Sequence, residues 1–228
     1  MPISFIRDMI FRETNVETDI RIIKTAGDKI AELSFDKMEG KGFFTKELED
    51  ALLSREIDLA VHSLKDLMTS QPAGLKLGAV GYRADRSEAL VMNKGIHQGE
   101  NLLPIKPGSV IGTSSPRRKC QIAIHAPTLN IKDLRGNVPT RILKLRENQY
   151  DAIIIASAGI KRLGLDLFDL DVIYLDPRKF LPAPAQGILG IQIRDNDPGT
   201  ERAVSVLNST DAVYEFSLTF YHSLSCPR

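Results

Sequence analysis

With 228 residues, 30 Lys and Arg against 29 Asp and Glu, and a formal charge of +1, the chain lacks the broad basic excess of a nucleic-acid binder. It has no Trp but is 43% hydrophobic, so base-stacking platforms are not expected and a sizeable core is. No apolar run approaches the ~18 residues of a membrane span, charges interrupt the first dozen residues too early for a signal peptide, and Cys120 and Cys226 have no metal-ligand or disulfide-framework spacing.

The coarse order alternates strand and helix, which predicts parallel sheets. Asp19 to Lys24 reads as a strand, and Phe44, Leu48, Ala51 and Leu52 keep helical spacing before a strand at Asp58 to His62. That strand delivers Lys65 and Asp66 to its carboxyl end, where ligands collect in open α/β sheets. Gly74 to Arg86 carries a strand and a charged turn. Next come a strand at Val110 to Gly112 and a helix with Ser115 as N-cap and Pro116 at its first position. Arg117 and Arg118 stand in that first turn, against the helix dipole, and require an anion. Cys120 lies within this helix and reads as a buried structural thiol.

Arg135 leaves the following strand, Gly136 permits a tight turn, Asn137 can cap, and Arg141 lies along the next helix. The apolar run Asp151 to Gly159 predicts a buried strand, with Lys161 and Arg162 at its exit. Leu181 to Gly187, rich in Pro and Gly, interrupts before a strand at Ile188 to Arg194; such crossings suit a hinge between two lobes flanking a cleft. Helices are predicted at Thr200 to Leu207 and Ala212 to Leu224. Four basic strand exits in a nearly neutral chain point to a small polyanion: a multi-carboxylate molecule or a phosphorylated metabolite.

Gly40 to Glu49, His62 to Asp66, Gly112 to Gln121, Leu134 to Arg141, Tyr150 to Leu165 and Leu181 to Gly190 together resemble the porphobilinogen deaminase (hydroxymethylbilane synthase) family of tetrapyrrole and heme biosynthesis. The resemblance implies an α/β fold of two periplasmic-binding-protein-like lobes, with mainly parallel mixed sheets around a cleft and a third domain largely missing. It implies a first lobe of residues 1–85 and 186–208, a second of 86–185, and a remnant of the third domain at 209–228. It further implies a monomeric transferase that condenses four porphobilinogen molecules head to tail with loss of ammonia; free thiols make a cytoplasmic protein the expectation. The growing chain is built on a dipyrromethane cofactor, held by a thioether to Cys226.

In this reading Asp66 is the catalytic residue, a buried carboxylate beside the developing pyrrolic cation. Lys65, Ser115, Arg117 and Arg118 hold the cofactor's acidic groups; Arg135, Arg141, Arg162, Lys41 and Gln186 bind substrate. Asp28 keeps its place in a Thr-x-Gly-Asp turn, whereas Leu224-Ser225 replaces the family's Gly-Gly before the cysteine. The family's first strand and its Arg-x-x-Ser loop have no counterpart before the helix containing Phe5 to Ile10. No metal, nucleic acid or membrane is expected. The alternatives are a non-catalytic two-lobed binder of small polycarboxylates and an inactive fragment of the enzyme.

Overall fold

The computed structural model describes residues 2–23, 45–68 and 70–214; Lys41, Asp28 and Cys226 lie outside them. The chain divides into two compact units, residues 1–84 with 184–228 and residues 85–183.

In the first unit α1 (Pro2–Thr14) precedes α2 (Lys46–Leu53), whose Ala51 and Leu52 are buried. Strand β1 (Leu59–Ser63) runs into a 3-10 turn at Leu64–Asp66, and β2 (Leu75–Gly81) follows. After the second unit the chain returns as β8 (Leu189–Arg194) and α6 (Pro198–Ser205). β8 is buried at every position because it lies between β1 and β2, antiparallel to both. Its face bearing Leu189, Ile191 and Ile193 packs with Ile6 and Ile10 of α1 and with Val204 of α6.

The second unit contains β3 (Glu88–Asn93), β4 (Val110–Gly112), α3 (Pro116–His125), β5 (Asn130–Lys132), α4 (Val138–Arg146), β6 (Ala152–Ala156), α5 (Ser157–Leu163) and β7 (Leu170–Leu175). Its sheet has the order β5-β4-β6-β3-β7, parallel across β5, β4 and β6 and antiparallel on both sides of β3. Leu90 and Met92 point to one core with Phe180 and Ile111; Ala89 and Val91 point to the other with Leu134 and Tyr150. An apolar strand with covered faces on both sides results, which is why β3 and β6 read as unbroken hydrophobic runs.

Among the described residues parallel pairing is confined to β5-β4-β6, a smaller share than the strand–helix alternation predicts. β3 and β8 are the first strands after each passage between units, and each enters antiparallel to the neighbours on both its sides. The strand predicted at Asp19 to Lys24 does not form over its described part: residues 15–23 are neither helix nor strand, and Ile22 is 83% exposed. Its alternation finds no ladder partner among the described strands, and a strand exists only by pairing. The helix predicted at Thr200 to Leu207 starts two residues earlier, where Asp197 caps Thr200 N at 3.1 Å and Pro198 opens the first turn. The last predicted helix, Ala212 to Leu224, overlaps a helical stretch at residues 210–214, and its remainder lies outside the described residues. Among the described residues no helix is long and apolar enough to cross a membrane.

Two carboxylates make the fold acid-sensitive. Burial would raise Asp85, but hydrogen bonds from Lys161 and Ser87 outweigh it and bring it to about 2. The Thr200 amide and Arg194 likewise hold Asp197 at about 2. Each group stabilises the fold above its unfolded pKa and loses that contribution as pH falls through the folded one. Urea midpoints are therefore expected to be level above about pH 5 and to fall between about pH 4 and pH 2. Asp197→Asn, which keeps the cap, should flatten that limb; an equally steep limb in the variant would remove Asp197 as a cause.

Candidate functional site

In the first unit the site begins where β1 ends. Leu64 donates its amide to Ile188 O at 3.0 Å, and Leu67 donates to Leu64 O at 3.2 Å, closing the turn. Leu64 is buried while Lys65 and Asp66 are exposed. A Cβ on Gly190 would stand 2.8 Å from Leu64 Cδ1, so the bare glycine of β8 is what admits the leucine. Lys65 Nζ donates a long 3.5 Å hydrogen bond to Oε1 of Gln186, which is buried. Gln186 is held by a turn with Ala185 and Gly187 at positive φ, closed by Ile188 N to Ala185 O at 3.2 Å.

The sequence places Lys65 and Asp66 together after the strand; the bond from Lys65 to Gln186 and the exposure of Asp66 come from the fold. A turn with one buried leucine anchors the backbone and turns the two charged side chains outward.

In the second unit, the carboxyl ends of the parallel strands β4 and β5 bring two polar loops together. Thr113 donates its amide to Lys132 O at 2.9 Å. Ser114 Oγ donates to Leu134 O at 3.0 Å and accepts from Leu134 N at 3.1 Å. Ser115 occupies the N-cap position of α3, yet its side chain makes no capping hydrogen bond. Asn137 does cap α4, accepting from Thr140 N at 2.9 Å. Arg141 Nε donates back to Gly136 O at 2.7 Å, and Lys144 Nζ donates to Arg135 O at 3.3 Å, which ties the Arg135 loop to α4.

The anion that Arg117 and Arg118 require is partly supplied from within. Glu88, fully buried at the start of β3, accepts from Arg118 Nε at 3.0 Å and Nη2 at 2.7 Å, and from Arg117 Nη2 at 2.6 Å. Arg118 Nη1 also donates to Ile154 O at 2.9 Å, and Arg117 Nη1 to Leu181 O. Burial alone would raise the Glu88 carboxyl, but the charge and hydrogen bonds of Arg118, then those of Arg117, hold it below the ordinary range. Arg118 is buried and committed to this cluster; the Arg117 side chain keeps 27% of its surface exposed. Sequence reasoning missed Glu88. Its one signal was a carboxylate opening the apolar run Ala89 to Met92, a place where an unpaired charge is costly.

Two further expectations are corrected. Lys161 and Arg162 do not stand at a strand exit: β6 ends at Ala156, and both residues lie in the last turn of α5, where cations complement the dipole. Lys161 is paired there with Asp85 at 2.7 Å. Cys120 is exposed, not buried. The buried face of α3 is set by Arg118 and Ile122, four residues apart; Cys120, midway between them, faces the other way.

Residues 3–202 match the family model described as porphobilinogen deaminase, dipyromethane cofactor binding domain. A porphobilinogen deaminase of Macrococcus caseolyticus is 44% identical over 193 residues, 85% of this chain and 61% of the relative. One of Prochlorococcus marinus is 47% identical over 196 residues, 85% of this chain and 60% of the relative. The chain thus spans less than two thirds of the length of these relatives.

Among solved structures, an ancestral cationic amino acid solute binding protein superposes with TM-score 0.52 at 13% identity, covering 96% of this chain and 83% of that one. A periplasmic binding protein of Salmonella typhimurium gives 0.50 at 12% identity, covering 94% and 86%. These likenesses show the fold, a two-lobed periplasmic-binding-protein-like α/β architecture. The shared sequence, running through both sets of polar loops, shows the lineage: this chain belongs to the porphobilinogen deaminase family.

Proposed function

We propose that this chain is the two-lobed part of a hydroxymethylbilane synthase, which condenses four porphobilinogen molecules with release of ammonia in tetrapyrrole biosynthesis. The lobes would be residues 1–85 with 186–208 and residues 86–185, with 209–228 beginning a third domain. A cytoplasmic monomer suits this reading. The observation that carries it is the Lys65–Asp66 turn at the end of β1, with Lys65 bonded to the buried Gln186. A pure binder of carboxylates gains nothing from an exposed carboxylate beside its lysine, whereas a reaction that builds up positive charge does.

A dipyrromethane is a polycarboxylate, and the donors present fit one. Ser115 leaves the first-turn amides of α3 without a side-chain cap, and Arg117, in that first turn, keeps part of its side chain exposed. When bound, that group supplies the anchored pyrrole chain onto which porphobilinogen is condensed. Cys226 would carry it, with Lys65, Ser115 and Arg117 as partners of its carboxylates. Arg118, committed to Glu88 and Ile154 O, serves by fixing the cluster's geometry and its positive field.

Arg135, Arg141, Arg162, Lys41 and Gln186 would bind the acetate and propionate groups of substrate. Asp66 would pass a proton to the departing amine, so that it leaves as ammonia, and as the resulting carboxylate face the pyrrolic cation that develops. The test is the intact mass of the purified chain, followed by ammonia release from porphobilinogen. A two-pyrrole adduct on Cys226 with ammonia release is expected. A folded, unmodified chain that releases no ammonia would favour the non-catalytic polycarboxylate binder.

A further inference from the structure

Linked to the segment that carries Lys65 and Asp66 is a chain of polar side chains that the proposed chemistry does not use. On β1, His62 is 6% exposed, and its Nε2 lies 3.0 Å from Oε1 of Gln192, which has no exposure at all on β8. In the β1–β8 register His62 stands opposite Gly190, so Gln192 is its diagonal neighbour on the same face of the sheet. Gln192 Nε2 is 2.7 Å from Gln71 Oε1, and Gln71 Nε2 is 2.6 Å from Met68 O.

The far end of this chain sets its polarity. Met68 offers a carbonyl, which only accepts, so Gln71 must present its NH₂ there and its oxygen to Gln192. Gln192 must then donate with its NH₂ and turn its oxygen to His62. That oxygen accepts only, so His62 carries its proton on Nε2. Burial favours the neutral ring, with Gln192, Glu49 and Asp66 acting in the opposite sense. Every link thus has one permitted direction, from β1 through β8 to the backbone just beyond Asp66.

The consequence is mechanical. Leu64 is tied to Ile188 O at one end of the turn, and Met68 O is tied through Gln71 and Gln192 to the central strand at the other. Lys65 and Asp66 lie between these two anchors. We infer that His62, Gln192 and Gln71 are positioning residues that hold the Leu64–Met68 segment, and with it Asp66, in one conformation. This rests on the reading of Asp66 as the reacting carboxylate.

Gln71 is the link to change, because it is half-buried on a loop, whereas His62 and Gln192 belong to the core sheet. Gln71→Glu keeps the length and the acceptor facing Gln192 but cannot donate to Met68 O. Gln71→Ala removes both links. Both variants are expected to lower kcat with porphobilinogen between about ten- and a hundredfold, the cost of a misplaced reacting group, with KM little changed.

Two readouts do not depend on activity. Imidazole ¹⁵N shifts of the unsubstituted protein should show His62 protonated on Nε2, and the Leu67 amide, bonded to Leu64 O, should exchange at least about tenfold faster in both variants. A proton on Nδ1, or unchanged Leu67 exchange, would overturn the brace even if the chain is active. If the chain never turns over porphobilinogen, the proposed function fails, and exchange and tautomer still decide the brace. A kcat unchanged in variants whose Leu67 exchange has risen would overturn its role in positioning Asp66.

Discussion

Replacing Asp66 by alanine is expected to lower turnover of porphobilinogen by about 10²–10⁴-fold, the span over which a positioned acid or base contributes. The side chain is exposed, and the turn beneath it is held by Leu64 and the backbone. Its loss should therefore leave unfolding stability within about 0.5 kcal/mol. Attachment of the cofactor, read as intact mass, should persist, because Lys65 and the arginines of the second unit are untouched. Asp66→Asn separates charge from shape: it fills the same space without the carboxylate, and should lose nearly as much as alanine. An asparagine variant with full ammonia release would remove the assignment of Asp66 as the stabiliser of a developing cation.

The second large effect is on the fold itself. Glu88→Leu should destabilise the protein by about 3–5 kcal/mol in urea unfolding, since it strands a buried guanidinium. Glu88 has no exposed side-chain surface and Arg118 only 7%, so water cannot replace the lost partner. The single variant Arg118→Met should cost a similar amount by leaving Glu88 with Arg117 alone. The double variant Glu88→Leu/Arg118→Met should then recover part of the loss, because two buried charges are removed together. Strictly additive losses would mean that the two side chains do not act as a pair. Cofactor loading in the double variant should still fall, because Arg117 loses the carboxylate that fixes its Nη2.

Much of the plan was legible along the chain because it depends on local chemistry. The apolar run beginning at Asp151 predicts a buried strand, and β6 is one, buried from Ala152 to Ile155. Pro116 behind Ser115, and Asn137 ahead of Pro139, mark helix starts through backbone rules that need no tertiary partner, and α3 and α4 begin there. The placement of Lys65 and Asp66 directly after β1 follows in the same way. Family membership, too, was carried by ordered local motifs.

What needed the folded chain were the pairings between distant residues. Nothing local links Glu88 with Arg117 and Arg118, 29 and 30 positions later, or His62 with Gln192 across 130. These contacts exist because β3 and β8 each insert antiparallel between two neighbours in their sheets, a register that periodicity alone does not specify. The same dependence explains the strand that Ile20 and Ile22 do not make, and the exposed face on which Cys120 lies. Sequence determines which segments are apolar, capped or charged. Only the sheet's strand order decides which buried charge meets which, since hydrogen bonds and ion pairs reward proximity in space and are blind to separation along the chain.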